Sequence, residues 1–242
     1  MRSDPEAPRL SVVIPSRDEL ENLPALLAEL RAVVAALGAP AEILVVDDAS
    51  GDGSGDWLLR EAQRDPLLRP VRLAGRCGQG GALAAGFARA RGDIVVTMDA
   101  DLQNDPADLP RLLAALEGAD VVSGVRDVRR DAWPRRAASA VANAVRRAAL
   151  GDTITDMGCS LKAYRRETLE GLPMFATAHR FLPALCQFRG ARVVEIPVAH
   201  RPRRAGRSKY GIADRLGRGL WDLVGVRWLK SRLVRWRVQG ED

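Results

Sequence analysis

Acidic side chains with the spacing of a metal site follow an apolar, strand-like run near the middle of the sequence. Asp99, Asp101 and Gln103 come directly after residues 94–98, each two positions from the next. Two carboxylates and an amide oxygen are hard ligands suited to Mg²⁺ or Mn²⁺, ions that complete their coordination with substrate phosphate and water. A cation there would neutralise the charge that develops on a departing diphosphate. The spacing therefore predicts a metal-assisted transfer that releases a diphosphate.

Two more acidic segments follow strand-like runs nearer the N-terminus. Pro15-Ser-Arg-Asp-Glu19 follows the first run, and Asp47 and Asp48 end the second. Ligands bind at the carboxyl ends of the strands in open parallel sheets, because loops and helix N-termini converge there. We therefore expect these segments to share one edge with the metal-type motif. Asp47 or Asp105, taken singly, is equally typical of a helix cap.

Alternating strand-like and helix-like segments must position these side chains. Apolar runs alternate with segments of helical spacing up to about residue 125, which predicts an α/β fold, Rossmann-like, with a mostly parallel central sheet and helices on both faces. The predicted strands are 10–15, 42–47, 71–74, 92–98 and 119–123, and the predicted helices are 22–37, 53–64, 80–90 and 105–116.

The pattern changes after residue 125. We predict helices at 133–150 and 177–189, strands at 160–165 and 192–197, and a final helix from about Ile212. Because no linker or repeat interrupts the chain, we expect one continuous domain. Its parts are a nucleotide-sugar half (8–125), an acceptor half (126–211) and a basic amphipathic C-terminal helix (212–238).

The composition is that of a globular protein. Hydrophobic residues make up 47% of the 242 residues and charged residues 28%, which excludes a mainly disordered or fibrous chain. The longest charge-free run, residues 77–88, is shorter than the ~20 mainly apolar residues of a membrane-spanning helix. The N-terminus lacks an apolar stretch, so no secretory signal and a cytoplasmic location are expected. Cys77, Cys159 and Cys186 lie far apart, which indicates reduced thiols.

Basic residues are concentrated towards the C-terminus. Residues 201–237 hold 12 Lys or Arg and two Asp, and residues 126–147 hold seven Arg and two Asp, within a chain of formal net charge +6. Such asymmetry predicts an anionic partner. Nucleic acid, an anionic membrane surface and a phosphorylated small substrate all stay open, and any single arginine is also compatible with a solvated surface.

Five motifs occur in an order that resembles family 2 glycosyltransferases of GT-A fold, and among them the polyprenyl-phosphate sugar synthases, the dolichol-phosphate mannose synthase-like enzymes. The resemblance covers roughly residues 10–228. The motifs are Leu10-Ser-Val-Val-Ile-Pro15 with Glu19 and Asn22, Val45-Val-Asp-Asp-Ala-Ser50-x-Asp52, Gly78-Gln-Gly-Gly-Ala82, Gly92-Asp-Ile-Val-Val-Thr-Met-Asp-Ala-Asp-Leu-Gln103 with Pro106, and Arg203-Arg-Ala-Gly-Arg-Ser-Lys-Tyr210.

The resemblance implies an enzyme: an inverting, metal-dependent hexosyltransferase that moves a sugar from a UDP- or GDP-sugar to a polyprenyl phosphate, with Mg²⁺ or Mn²⁺. Its product would serve cell-envelope glycan or lipid modification. By matching position, the nucleotide-sugar residues are Pro15, Arg17, Glu19, Asp48, Gly80, Ala82, Asp99, Ala100 and Asp101, and the metal ligands are Asp99, Asp101 and Gln103. The residues that face the acceptor phosphate and donor diphosphate are Arg126, Arg136, Ser139, Arg203, Ser208 and Lys209.

Arg17 and Asp18 stand where the family commonly has an aromatic residue and Asn, so the nucleobase contacts differ there. A phosphate monoester is largely dianionic at pH 7 and hardly needs a general base. The chemistry would instead need cations that align two anions for in-line attack. The catalytic residues expected for this chemistry are the cations Arg126, Arg136, Arg203 and Lys209, together with Asp101 and Asp156.

Asp156 has three open roles. It could orient the acceptor, act as a base if the acceptor is a hydroxyl, or cap the local backbone. His179 and His200, the two histidines of the chain, are expected to pack or to support other groups, because neither has a matched partner in the sequence.

The C-terminal segment, residues 212–236, mixes apolar and basic residues and holds three of the five tryptophans. Tryptophan suits a membrane–water boundary, and a basic amphipathic helix attracts anionic lipid. We therefore expect peripheral attachment at the inner face of the cytoplasmic membrane. Docking of this helix on the sheet, on a second copy of the chain or on a membrane protein is the alternative.

Other functions stay open at this point. A family 2 transferase could act on a saccharide hydroxyl, and a nucleotidyltransferase shares the general fold but would need a Gly-rich activation loop. A nucleic-acid-binding protein is disfavoured, and no nucleic-acid partner is expected, because aromatic residues make up only 5% of the chain and offer little surface for base stacking. A non-catalytic sugar-nucleotide binder is disfavoured by the intact metal motif.

Overall fold

Strands and helices alternate along the chain in the computed structural model, which describes residues 8–126, 143–202 and 212–233. The strands are β1 (Leu10–Ser16), β2 (Ala41–Asp47), β3 (Leu68–Arg72), β4 (Ile94–Thr97), β5 (Val121–Arg126), β6 (Lys162–Arg165) and β7 (Val193–Val198). The helices are α1 (Leu23–Leu37), α2 (Ser54–Ala62), α3 (Gly78–Phe87), α4 (Leu109–Ala115), α5 (143–150), α6 (Arg166–Leu169), α7 (Ala178–Phe188) and α8 (Ile212–Arg232).

These strands form one sheet in the order β3-β2-β1-β4-β6-β5-β7. All neighbouring pairs are parallel except those of β6, which runs antiparallel between β4 and β5. The prediction of a mostly parallel sheet is therefore confirmed. Because the parallel strands share one direction, β1, β2, β4 and β5 all end at the same edge, and the antiparallel β6 begins there.

Helices cover the sheet on both faces. Successive residues of each strand point to opposite sides of the sheet, so each strand contributes side chains to both cores. Val12 and Ile14 of β1 pack with α1 and α4 in one core, whereas Val13 packs with α3, α7 and the buried Val226 of α8 in the other. Every strand of the centre is thus apolar on both faces, as a buried parallel sheet requires.

Most elements begin one to four residues from the predicted position, and two of these shifts have a structural cause. β3 was expected at 71–74 but spans Leu68–Arg72 with Pro70 inside it. β3 pairs only with β2 at the edge of the sheet, where a proline can be accommodated because one side of the strand needs no ladder donor. α3 begins at Gly78 rather than residue 80, because Asp48 binds the backbone that precedes its first turn. The predicted helix 133–150 is described only from residue 143.

Candidate active site

The loop after β4 folds back on itself and brings the metal-type side chains together. Leu102 adopts a left-handed backbone conformation, with φ of 62°, which is uncommon for a bulky residue. The turn allows the N–H of Gln103 to donate to Oδ1 of Asp101 at 3.2 Å. Oδ1 of Asn104 accepts the N–H of Asp99 at 3.2 Å and the hydroxyl of Ser160 at 2.7 Å. The loop is therefore tied to the segment that leads into β6.

Asp99 is held from the opposite side by the first turn of α3. Nε2 of Gln79 donates to Oδ1 of Asp99 at 2.8 Å. Burial and, after it, the neighbouring carboxylate of Asp101 together raise the pKa of Asp99 to about 6. Two carboxylates that repel each other in this way are a setting that a bound cation would stabilise. Gln79 was missed by the sequence analysis because its side chain reaches Asp99 only through the packing of α3 on the sheet.

Gln103 and His200 extend the possible donor set. Nε2 of Gln103 lies 3.4 Å from Nε2 of His200, and the N–H of Arg201 donates to the carbonyl of Gln103 at 2.8 Å. Within the described ranges, no cluster of three or more His, Cys, Asp or Glu side chains has a metal-holding arrangement. A cation bound at this loop would have Asp99, Asp101 and the amide oxygen of Gln103 as its candidate donors. Carboxylate and amide oxygens, with an imidazole beside them, fit Mg²⁺ or Mn²⁺.

Asp48 binds the backbone at the start of α3. Its carboxylate accepts the N–H groups of Cys77 at 2.6 Å and Gly78 at 2.9 Å, which fixes the loop that leads into the helix. At Gly80 a Cβ would lie 2.3 Å from the carbonyl oxygen of Phe175. The N-terminal turn of α3 thus sits against residues 175–176, with Ala82 buried beneath it.

The loops after β1 and β2 are joined by hydrogen bonds. Asp18, which has a positive φ of 49°, accepts the N–H of Gly51 at 2.8 Å and donates its own N–H to the hydroxyl of Ser50 at 2.9 Å. Nδ2 of Asn22 donates to Oε2 of Glu19 at 2.6 Å. Pro15 pairs with Val46 in the sheet, just before these loops. A cavity of 370 Å³ is lined by Asp18, Glu19, Leu20, Glu21, Asn22 and Asp52.

Arg126, the last residue of β5, forms a bidentate ion pair with Asp156. Its Nε and Nη2 donate to the two carboxylate oxygens, both at 2.8 Å, and its N–H donates to Oδ2 at 3.1 Å. Gly158 N–H donates to Oδ1 at 3.0 Å. Burial alone would raise the pKa of Asp156, but the hydrogen bonds and charge of Arg126 lower it below its ordinary value. Both oxygens of this carboxylate are therefore engaged.

Arg126 also lies close to the metal-type motif. The pair with Asp156 raises the pKa of Arg126, and the Asp99 carboxylate adds to that shift. The structure thus brings Arg126 to the same edge of the sheet as Asp99 and Asp101. The other predicted phosphate-binding residues lie outside the described residues: Arg136, Ser139, Arg203, Ser208 and Lys209.

Lys162 is a further cation at this edge that the sequence analysis did not select. It opens β6, pairs in register with Thr97 and Ser123, and is 2% exposed. Burial lowers its pKa, and the Asp99 carboxylate partly offsets this. Nζ donates to the carbonyl of His179 at 3.3 Å. The sequence contains no local sign of this position, because a lysine in a short strand is usually exposed.

The chain is similar to known glycosyltransferases. Residues 11–172 match the family model described as Glycosyl transferase family 2. The chain is 41% identical over 218 residues to an undecaprenyl-phosphate 4-deoxy-4-formamido-L-arabinose transferase of Serratia proteamaculans, covering 89% of this chain and 67% of that protein.

Solved glycosyltransferase structures share the fold. A glucosyl-3-phosphoglycerate synthase from Mycobacterium tuberculosis, in complex with Mn²⁺, UDP and glucosyl-3-phosphoglycerate, matches with a TM-score of 0.64 and 22% identity, covering 91% of this chain and 80% of that one. A mannosyltransferase from Pyrobaculum calidifontis, in complex with GDP-Man and Mn²⁺, matches with a TM-score of 0.64 and 24% identity over 96% of this chain and 66% of that one. The predicted GT-A fold is confirmed.

Proposed function

Since the chain belongs to glycosyl transferase family 2, we propose that it transfers a sugar from a nucleotide diphosphate sugar to a polyprenyl phosphate. An oxygen of the acceptor phosphate attacks the anomeric carbon. The bond from that carbon to the diphosphate breaks on the opposite side, so the configuration inverts. The relative from Serratia proteamaculans, which carries an undecaprenyl-phosphate transferase name and aligns with 89% of the chain, supports this acceptor.

The observation that carries the proposal is the state of Asp156. A hydroxyl acceptor needs a carboxylate that is free to take its proton. Both oxygens of Asp156 instead accept hydrogen bonds from Arg126 and Gly158, and the pKa of the group is lowered, which makes it a weak base. A phosphate acceptor, already ionised near pH 7, needs no such base. The site therefore suits a phosphate better than a saccharide hydroxyl.

The residues divide the work between two anions. Asp99, Asp101 and Gln103 would hold Mg²⁺ or Mn²⁺, which stabilises the charge on the departing diphosphate when bound. Arg126 presents a planar guanidinium, suited to phosphate oxygens, beside these carboxylates. Asp48 and Gln79 keep the first turn of α3 against the metal loop. Arg136, Ser139, Arg203, Ser208 and Lys209 are proposed to complete the phosphate contacts.

We further propose that α8 lies on the anionic inner face of the cytoplasmic membrane, where a lipid-linked acceptor resides. None of the described helices is long and apolar enough to cross a bilayer. Trp221, Val224 and Trp228 share one face of α8 and are 78%, 60% and 61% exposed. Arg227 and Arg232 lie on the same helix, and such a combination of aromatic and basic residues favours the surface of an anionic bilayer.

The direct test incubates the purified protein with Mn²⁺ or Mg²⁺, undecaprenyl phosphate and radiolabelled nucleotide sugars. The donors are a panel of UDP- and GDP-sugars, together with a nucleotide-linked 4-deoxy-4-formamido-L-arabinose. We expect label to move into the organic phase with at least one donor, and a chelator to stop the transfer. Absence of transfer with every donor and polyprenyl phosphate would overturn the proposal.

A matched pair of variants separates the site from general effects. Asp101→Asn removes a buried carboxylate of the metal motif and should lower transfer by about a hundredfold or more, since charge stabilisation of the leaving group is lost. Asp93→Asn removes an exposed carboxylate just before β4 and should leave transfer unchanged. Equal activity of both variants would contradict the assigned metal loop.

A further inference from the structure

Residues 151–161 have little regular secondary structure, yet they carry Asp156, the partner of Arg126. A loop of this kind holds a side chain accurately only if its backbone groups are bound by a rigid element. The element beside it is β7, which pairs with β5 so that Glu195 lies opposite Ser123. Arg126 lies at the end of the same β5. Arg126 and Glu195, which both contact the loop at Asp156, therefore lie on adjacent strands.

Glu195 binds the loop through four hydrogen bonds. The N–H of Thr155 donates to both carboxylate oxygens, at 2.9 and 3.0 Å. The hydroxyl of Thr155 donates to Oε2 at 2.7 Å, and the N–H of Asp156 donates to Oε1 at 3.2 Å. A carboxylate that accepts from two successive backbone N–H groups and a hydroxyl fixes both the position and the direction of the chain at that point.

Asp156 is consequently held from two directions. Its backbone is bound by Glu195, and its carboxylate is bound to Arg126 at 2.8 Å through Nε and Nη2. Asp156 is hydrogen-bonded to both Glu195 and Arg126, so it provides the direct path between them. We propose that Glu195 is a positioning residue for the transfer: it orients Asp156, which aims the guanidinium of Arg126 at the acceptor phosphate. This inference rests on the proposed function.

The chemistry of Glu195 argues against a direct role. A base must have an oxygen available for a proton, whereas both oxygens of Glu195 accept from Thr155. Replacing it by Gln keeps the shape but exchanges one acceptor oxygen for an N–H₂ group, which faces the N–H donors of residues 155–156. A buried or half-buried donor that meets another donor turns away, and the loop loses its anchor.

The first arm of the test measures kinetics of Glu195→Gln. We expect kcat/KM for the polyprenyl phosphate to fall about tenfold or more, because a displacement well below 1 Å already impairs in-line attack. The KM for the nucleotide sugar should stay within a factor of about two. Glu117→Gln, an exposed glutamate after α4, is the control. A loss shared equally by donor and acceptor, with a lowered melting temperature, would mean a merely structural role and would overturn the inference.

The second arm is a double-mutant cycle with Asp156→Asn. If Glu195 acts through Asp156, the double variant should be about as active as Asp156→Asn alone, because the path is already broken. Multiplication of the two losses would show that Glu195 acts by another route. Thr155→Val, which removes the hydroxyl hydrogen bond to Glu195, provides a milder variant should Glu195→Gln fold poorly. The loss of activity that it causes should likewise vanish in the Asp156→Asn background.

The third arm needs no substrate. The Nε–H signal of Arg126, assigned in a ¹⁵N spectrum by its loss in Arg126→Lys, should be sharp in the wild type and should shift and broaden in Glu195→Gln. An unchanged signal would overturn the inference whatever the activity. Failure of the wild type to use any polyprenyl phosphate would refute the proposed function alone, and the Arg126 signal would still decide the role of Glu195.

Discussion

Arg126 enters the site as one half of an ion pair rather than as a free cation. Its guanidinium is oriented by Asp156. If Arg126 binds the acceptor phosphate, as proposed, less side-chain freedom would be lost on binding. Asp48 shows the same principle on the donor side, where its carboxylate fixes the backbone of Cys77 and Gly78. In both cases a carboxylate fixes the orientation of the group to which it is hydrogen-bonded.

Asp156→Asn tests which role the carboxylate has. A positioning role predicts that transfer to polyprenyl phosphate falls about ten- to hundredfold and is not abolished, because Arg126 remains but is poorly aimed. A base for a hydroxyl acceptor would instead lose activity almost completely. Steady-state kinetics with varied acceptor checks this. Arg126→Lys keeps the positive charge but loses the planar guanidinium that suits phosphate oxygens. We expect this variant to have a higher KM for the acceptor.

Helix α3 connects the loops after β2 and β4, which form the proposed donor side of the site. Its first turn receives Asp48 from the loop after β2 and sends Gln79 to Asp99, while Gly80 allows close approach of the backbone at residues 175–176. The opposite end of the sheet is fixed differently. There the buried Glu42 joins β1, β2 and β3 through Ser11, Arg69 and Arg91.

Gly80→Ala tests the close approach of α3. The new Cβ would lie 2.3 Å and 2.6 Å from the carbonyl oxygens of Phe175 and Ala176, and backbone yields less readily than a side chain. We expect a loss of about 2 kcal/mol in the free energy of unfolding and weaker donor binding. Gly75→Ala, where nothing lies within 4 Å of the added Cβ, should change stability by less than about 0.5 kcal/mol. Urea unfolding compares the two, and equal stability would contradict this packing.

Glu42→Gln tests the ionic cluster through its pH dependence. Burial would raise the pKa of Glu42, but its hydrogen bonds to Ser11, Arg91 and Arg69 lower it below the ordinary 4.5. Its stabilising contribution, about 2 kcal/mol, should therefore be complete above pH 4.5 and decline as the pH falls through the lowered value. Urea unfolding of both proteins from pH 8 to 3 measures the difference. A difference that grows towards acid would refute the assignment.

The two halves of the chain share one sheet. β6, which follows residue 126, lies between β4 and β5 of the N-terminal part. We therefore propose that nucleotide and acceptor halves fold as a single domain, as the sequence analysis expected. A fragment that lacks β6 would expose the edges of β4 and β5 that pair with it.

A fragment of residues 8–125 provides the test of this proposal. Without β6 and β7, β4 would pair only with β1 and β5 would lose both of its neighbours. The fragment should therefore show no cooperative thermal unfolding, whereas the full chain should unfold in one transition. Circular dichroism and calorimetry distinguish the cases. A stable, cooperatively folded fragment would mean that the N-terminal half is a domain by itself.

The proposed membrane attachment belongs to the scale of the whole molecule, because α8 packs on the sheet through one side and exposes the other. Val226 is 2% exposed, whereas Trp221 and Trp228 face outwards. Replacing both tryptophans by serine should lower binding to anionic vesicles about tenfold or more, and high salt should weaken wild-type binding. Leu59→Ser, at a 45% exposed leucine of α2, is the control for vesicle flotation. Unchanged flotation with an altered oligomeric state would show that α8 binds a protein instead.

The sequence by itself determined the alternation of strands and helices, the placement of Asp99, Asp101 and Asp48 after strands, and the family. These features depend on the local pattern of apolar residues and on short motifs, which can be recognised in the sequence without the fold. The exact boundaries of the elements were predicted less well. At β3 the pattern was misled by Pro70, because the rule against proline in a sheet does not hold on an unpaired side.

The tertiary structure decided which partner each polar group takes. Arg126 and Asp156 are 30 residues apart, Asp48 and Gly78 also 30, and Glu195 and Thr155 are 40 apart. A hydrogen bond forms only when donor and acceptor come within about 3 Å, and residues so distant in sequence reach that separation only through the packing of strands and helices. The roles proposed for Asp156, Gln79 and Glu195 therefore depend on contacts that the fold creates, and no spacing in the sequence indicates them.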